Sequence, residues 1–168
     1  SLASFLPDQT IVITGLSKSH AMTGWRIGYI LGPVPFIKEV VKTHQYMVTS
    51  PSSSSQYGAL AAMLHGQGDC DIMKVEYQQR RDYLAKELRR LGFEVASPDG
   101  AFYLFAKIPA KCGTDSWAFV RDLAKNAKVA LIPGVSFGPG GEGYVRFSYA
   151  ASMENLTEVV ARLEKYLA

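Results

Sequence analysis

The sequence predicts an α/β fold, and three observations carry that prediction. Two strand-like runs lie close together near the start, Thr10–Thr14 (TIVIT) and Trp25–Leu31 (WRIGYIL). Apolar residues at helical spacing follow them, most plainly Phe36, Ile37, Val40 and Val41. Beyond a long amphipathic stretch, Ile72–Leu91, strand-like and helix-like segments interleave to the end of the chain.

Taken in order, Gly15 bounds the first run, Gly32 and Pro33 end the second, and the short loop between them carries Lys18. A helix is expected over Pro35–Tyr46, then a loop and cap over the serine-rich Ser50–Ser55, then an alanine-rich helix over Gln56–Leu64. Gly66 and Gly68 break that helix, Asp69 is the expected N-cap of the long one, and Gly92 closes it. Phe93–Ala96 and Ala101–Ile108 read as strands, Ser116–Asn126 as a helix, Val129–Ile132 and Tyr144–Tyr149 as further strands. Ser152 caps a last helix, Leu156–Leu167. No internal repeat interrupts this order, and the best boundary falls near Gly66–Asp69, giving regions 1–68 and 69–168. The first region offers two strands and their helices, too little to close a parallel sheet covered on both faces, so a partner for that sheet is expected upstream.

Composition narrows the function classes. With 48% hydrophobic and 20% charged residues, the chain holds enough apolar material for a core. The net charge of +3 is small, and basic residues alternate with acids, as at Arg80, Arg81, Asp82, Lys86 and Glu87, which leaves no electrostatic footprint for nucleic acid. Cys70 and Cys112 stand in no metal-ligand or CxxC pattern, so no metal is expected and both read as free thiols in a reducing, cytoplasmic setting. Apolar stretches are too short to span a bilayer, and Ser1–Asp8 lacks the layout of a leader; no membrane partner is expected.

The segment from Gly15 to Gly28 (GLSKSHAMTGWRIG) concentrates chemistry: a lysine between two hydroxyls on a tight loop, with an arginine returning on the next strand. A lysine forms imines only if its neutral form is reachable, which burial and a neighbouring cation, here Arg26, both promote. An arginine fork also grips phosphate, and the Ser17 and Ser19 hydroxyls add donors. A lysine for an aldehyde beside an arginine for a phosphate is what pyridoxal phosphate requires. From the residues alone, a solvated loop lysine and a surface arginine remain the plain alternative.

The whole segment resembles the cofactor-attachment signature of the class I and II aminotransferases, and the length of the match sets it apart from a bare Ser-Lys pair. The resemblance implies a fold-type I pyridoxal-phosphate enzyme, with the end of a large, mainly parallel-sheet domain followed by the small C-terminal domain. It implies that Lys18 carries the cofactor as a Schiff base and moves the substrate Cα proton, and that Arg26 and Ser17 bind the cofactor phosphate. Farther on, Gly100-Ala101-Phe102-Tyr103 resembles the family's small-domain strand facing the active site, and Pro133-Gly134 with Phe137-Gly138 the loop before its last substrate strand. Tyr144-Val145-Arg146-Phe147-Ser148-Tyr149 then places Arg146 as the ligand of the substrate α-carboxylate, by fork-to-fork pairing. A surface strand arginine is the alternative. The substrates implied are an amino acid and a 2-oxo acid, and the full protein resembles a homodimer, with Ser50–Ser55 near the partner's cofactor. The wording is similar to that of the aspartate, aromatic and N-acetyl-diaminopimelate aminotransferases.

In that family the aspartate on the pyridine nitrogen and the ring-oxygen ligands lie upstream of the lysine strand. The resemblance therefore implies a C-terminal portion, inactive by itself. A fold-type I lyase or cyclopropane-forming synthase shares Lys18, Arg26 and Arg146, and an aminotransferase-like effector domain of a transcription regulator is a third reading. Gly138-x-Gly140-x-x-Gly143 matches a dinucleotide fingerprint in form only: Pro139 lies inside it and a strand follows, so a strand-joining loop is expected. His20 lies close enough in sequence to approach the Lys18 site, and His44 and His65 sit on helical segments without an acid or nucleophile partner; all three read as structural. Trp25 and Tyr29 read as packing around Arg26, and Tyr103 as a weaker candidate for lining the substrate pocket.

Overall fold

The computed structural model describes all 168 residues. The chain forms two compact units, Ser1–Met73 and Lys74–Ala168.

In the first unit, β1 (Val12–Gly15) and β2 (Gly28–Leu31) pair antiparallel, with Val12 opposite Leu31 and Gly15 opposite Gly28. The parallel character expected of this sheet is thus not carried by this pair. α1 (Val34–Val48) follows, its first turn started by prolines, whose missing N–H costs a helix nothing there. α2 (Ser53–His65) begins inside the serine run. Ser53–Ser55 are therefore helical, where a loop was expected from the tendency of serine to compete for backbone hydrogen bonds. Tertiary contact overrides that tendency: Ser55 is buried and donates its hydroxyl to Trp25 O at 2.7 Å. Asp69, expected as a cap, is instead the first residue of α3 (Asp69–Arg90). Apolar burial in this unit is confined to Leu16 and Met22, at the base of the Lys18 loop, while Ile13, Tyr46 and Met47 remain largely exposed.

The second unit holds a four-stranded antiparallel sheet in the order β3 (Glu94–Val95), β4 (Tyr103–Lys107), β6 (Tyr144–Ser148), β5 (Ile132–Pro133). Alternation along β4 and β6 buries Leu104, Ala106, Val145 and Phe147 on one face. Against that face lie Leu84 and Leu88 of α3, Phe119 and Leu123 of α4 (Ser116–Asn126), and Leu156, Val160 and Leu163 of α5 (Met153–Leu167). The opposite face carries Tyr103, Phe105 and Lys107, with Ser148, Arg146 and Tyr144 as their respective cross-strand partners.

In this unit β3, β4 and β5 are clearly shorter than the sequence predicts. β4 starts only at Tyr103 because Ala101 adopts a left-handed conformation, φ 61°. The segment expected as a strand over Val129–Ile132 pairs only at Ile132 and Pro133: Lys128 is left-handed, φ 57°, and Val129 is spent in the core. β3 is held to Glu94 and Val95. The caps of α4 and α5 are side-chain caps: Asp115 accepts from the Ala118 N–H at 2.8 Å and Ser152 from the Asn155 N–H at 3.2 Å. The glycine-rich segment 138–143 is a loop with a structural task, since Glu142 accepts the Ser116 N–H at 2.6 Å and so tethers the loop to the start of α4. No helix is long and apolar enough to cross a membrane.

Candidate active site

The Lys18 loop is folded by its own backbone. Leu16 O accepts from the N–H groups of His20 and Met22, and Thr23 returns its hydroxyl to Ser17 O at 2.7 Å. With Leu16 and Met22 buried beneath it, the loop turns its polar residues outward, Ser17 half-buried and Lys18 exposed. Ala21 (φ 53°) and Arg26 (φ 52°) are both left-handed, a cost of about 1–3 kcal/mol each for residues with a Cβ, which the surrounding hydrogen bonds hold in place.

At the mouth of the loop the two strands approach closely. A Cβ on Gly15 would lie 3.0 Å from Ile27 O, and one on Gly28 2.9 Å from Thr14 O, so neither position admits a side chain without separating the strands. Beside this pair opens a concavity of about 740 Å³ lined by Thr14, Gly15, Ser17, Lys18, Ser19, Ile27, Gly28 and Tyr29. Ser17 and Lys18 are thereby brought to one surface. Tyr29, read from sequence as packing, also lines it.

Arg26 differs from expectation in its backbone. It lies on the left-handed turn that closes a short 3-10 segment, Thr23–Trp25, and precedes β2 instead of belonging to it. Its guanidinium donates one N–H to Thr23 O at 3.1 Å, which fixes the side chain to the loop while leaving further donors of the fork. A second cluster escaped the sequence reading. His20 Nδ1 lies 2.9 Å from Ser19 Oγ, and the Cys70 thiol donates to Ser19 O at 2.9 Å with His20 Nε2 3.9 Å away. Half a hundred residues separate Cys70 from that loop, so no local signal announces the contact. No group of three or more His, Cys, Asp or Glu could hold a metal ion.

Arg146 belongs to the second unit. On the open face of the sheet its guanidinium carbon lies 4.2 Å from the centre of the Tyr103 ring and 4.8 Å from that of Phe137. Tyr103 is positioned by a neighbouring anchor: buried Tyr149 donates its hydroxyl to Ala101 O at 2.7 Å and its N–H to Phe102 O at 3.0 Å. Burial pushes the Tyr149 phenol above its ordinary value, which further favours the protonated, donating form.

Comparisons with known proteins agree with the fold. A probable N-acetyl-LL-diaminopimelate aminotransferase of Bacillus subtilis is 48% identical over 167 residues, covering 99% of this chain and 42% of that protein. An aspartate aminotransferase of Pyrococcus horikoshii is 40% identical over 169 residues, covering 99% of this chain and 43% of the relative. The solved aromatic aminotransferase of Pyrococcus horikoshii superposes with a TM-score of 0.86 at 39% identity, covering 96% of this chain and 43% of that structure. The chain therefore spans less than half the length of the relatives it matches. The family model described as "Aminotransferase class I and II" matches residues 3–163, and on that match this chain belongs to the class I and II aminotransferases.

Proposed function

We propose that this chain is the lysine-bearing, C-terminal portion of a pyridoxal-phosphate aminotransferase that moves an amino group between an amino acid and a 2-oxo acid. The observation that carries the reading is the concavity beside the Gly15–Gly28 pair, where Lys18 and Ser17 share one surface. The residues fit the cofactor: an amine for an aldehyde, hydroxyl and guanidinium donors for a phosphate, and two glycines that let the strands close beside the concavity.

When bound, pyridoxal phosphate supplies the electron sink that makes the substrate Cα proton acidic. Lys18 would hold the cofactor through its Nζ and would take up and return the substrate Cα proton. Ser17 and Arg26 hold the phosphate, Arg26 from a guanidinium already tied to Thr23 O. Arg146 pairs with the substrate α-carboxylate. Region 1–68 is the end of the large domain and 69–168 the small domain. The complete enzyme is cytoplasmic and a homodimer, which would cover apolar side chains of the first unit that are now exposed, with Ser50–Ser55 near the partner's cofactor. The aminotransferase names borne by the relatives favour this reading over a lyase or a regulator.

The test is borohydride reduction of the chain with added pyridoxal phosphate, followed by peptide mass mapping, with Lys18→Ala as control. A phosphopyridoxyl label confined to Lys18 is expected. A label spread over surface lysines, unchanged in Lys18→Ala, overturns the assignment of Lys18.

A further inference from the structure

We infer that Tyr103 and Phe137 form a two-ring clamp that orients the Arg146 guanidinium, so that its N–H edge accepts a planar carboxylate in preference to a tetrahedral oxyanion. The inference rests on the reading of Arg146 as the carboxylate ligand and adds what makes it selective.

Arg146 lies half-buried on the open face of the sheet, and none of the ion pairs of its unit involves it. Instead its guanidinium carbon is within 4.2 Å of the Tyr103 ring centre and 4.8 Å of the Phe137 ring centre. Rings hold a guanidinium by its faces, because the π cloud attracts the cation from above and below the plane. The N–H groups lie in that plane and stay available. A carboxylate meets two of them with both oxygens in the same plane; phosphate can use the same fork, but its other oxygens lie out of that plane, beside rings that offer them no N–H.

The clamp is built from two separate elements. Tyr103 stands opposite Ser148 on β4, one step along the same face from the Phe105–Arg146 pair, and so reaches Arg146 diagonally. Phe137 comes from the 3-10 segment Gly134–Phe137 and meets the Phe105 ring edge-on, 6.1 Å between centres at 80°. Phe105 is in turn stacked on Tyr144 at 5.2 Å and 9°. The segment lies against the sheet only because Gly134 has no side chain: a Cβ there would fall 2.7 Å from Tyr144 O and 2.9 Å from the Phe105 ring. Phe137 is thus a positioning residue for Arg146, held by an aromatic row that ends at Tyr144.

The experiment follows the Arg146 Nε–Hε resonance in the full 168-residue chain, assigned by its loss in Arg146→Lys, during titration with pyruvate and separately with inorganic phosphate. In the parent chain this N–H is expected to be ordered before any anion is added, to shift with pyruvate, and to respond more weakly to phosphate. Phe137→Ala should leave the resonances of the core unchanged, since Phe137 is 54% exposed. It should also lower the order of the Arg146 N–H, weaken pyruvate binding by about fivefold, the loss expected for one cation–π contact, and erase the preference over phosphate. Phe137→Tyr should restore all three. If pyruvate shifts the resonance equally in the parent and in Phe137→Ala, with unchanged order and preference, the clamp is overturned. If pyruvate fails to shift it in the parent chain, the carboxylate reading of Arg146 is overturned and the selectivity with it.

Discussion

Gly15 and Gly28 face each other across β1 and β2, directly where the chain leaves the sheet to form the Lys18 loop and returns from it. The close approach is between backbones, so neither partner can yield by rotating a side chain. The geometry of the lysine loop depends on this pair.

Gly28→Ala should therefore destabilise the first unit by about 1–3 kcal/mol, the usual range for overpacking, because its Cβ would lie 2.9 Å from Thr14 O. Lys18-selective labelling by pyridoxal phosphate and borohydride should fall with it. Gly24→Ala is the internal control, with nothing within 4 Å of its Cβ. Equal effects from the two substitutions, measured by urea denaturation and labelling yield, would count against a steric role for the glycine pair.

Ser55 ties α2 to the end of the Lys18 loop through Trp25 O. Ser55→Ala removes the donor and strands a carbonyl, at a cost of about 1–2 kcal/mol. The Trp25 ring lies against Gly58, so its fluorescence, read in a Trp117→Phe background, should shift toward that of a more solvated indole. An unchanged spectrum and unchanged urea midpoint would refute the tether.

Tyr149→Phe keeps the ring and removes the hydroxyl that Ala101 O accepts at 2.7 Å. A loss of about 1–3 kcal/mol is expected, since a partly buried carbonyl loses its donor. The left-handed Ala101 should be released and Tyr103 become mobile, visible as reduced order of the amides over 100–103. A stability loss confined to the core, without change in those amides, would show that Tyr149 acts only by packing.

Glu142 supplies a pH dependence. The Ser116 backbone N–H donates to its carboxylate and holds the group below the usual carboxylate range, with the Gly143 N–H assisting. A carboxyl depressed in the folded state stabilises at pH above its unfolded value, about 4.3, and that contribution is lost as pH falls through the lower folded value. The parent chain should exceed Glu142→Gln in urea midpoint at pH 7, and the gap should close toward pH 3. A gap independent of pH would assign the effect to something other than ionisation.

Much of this was legible along the chain. Helix periodicity placed α1, α3, α4 and α5 to within a few residues, and Ser152 was readable as a cap because capping needs only local backbone N–H groups. Pro139 and the strand after Gly143 were enough to read the glycine-rich segment as a strand-joining loop. The departures share one cause. Ser53–Ser55 were read as loop because the buried contact with Trp25 lies thirty residues away. The strand expected over Trp25–Leu31 starts only at Gly28, since Arg26 is bent into a left-handed turn that its residue type does not announce.

The fold class, the family and the candidate residues Ser17, Lys18, Arg26 and Arg146 are legible in the order of the residues, because a motif contiguous along the chain needs no knowledge of what packs against it. Packing in three dimensions is what makes Gly15 meet Gly28, brings Cys70 to Ser19, and closes Tyr103 and Phe137 on Arg146. Each of these joins residues from different elements, and such contacts depend on strand register and loop path, which long-range packing sets and local residue pattern does not.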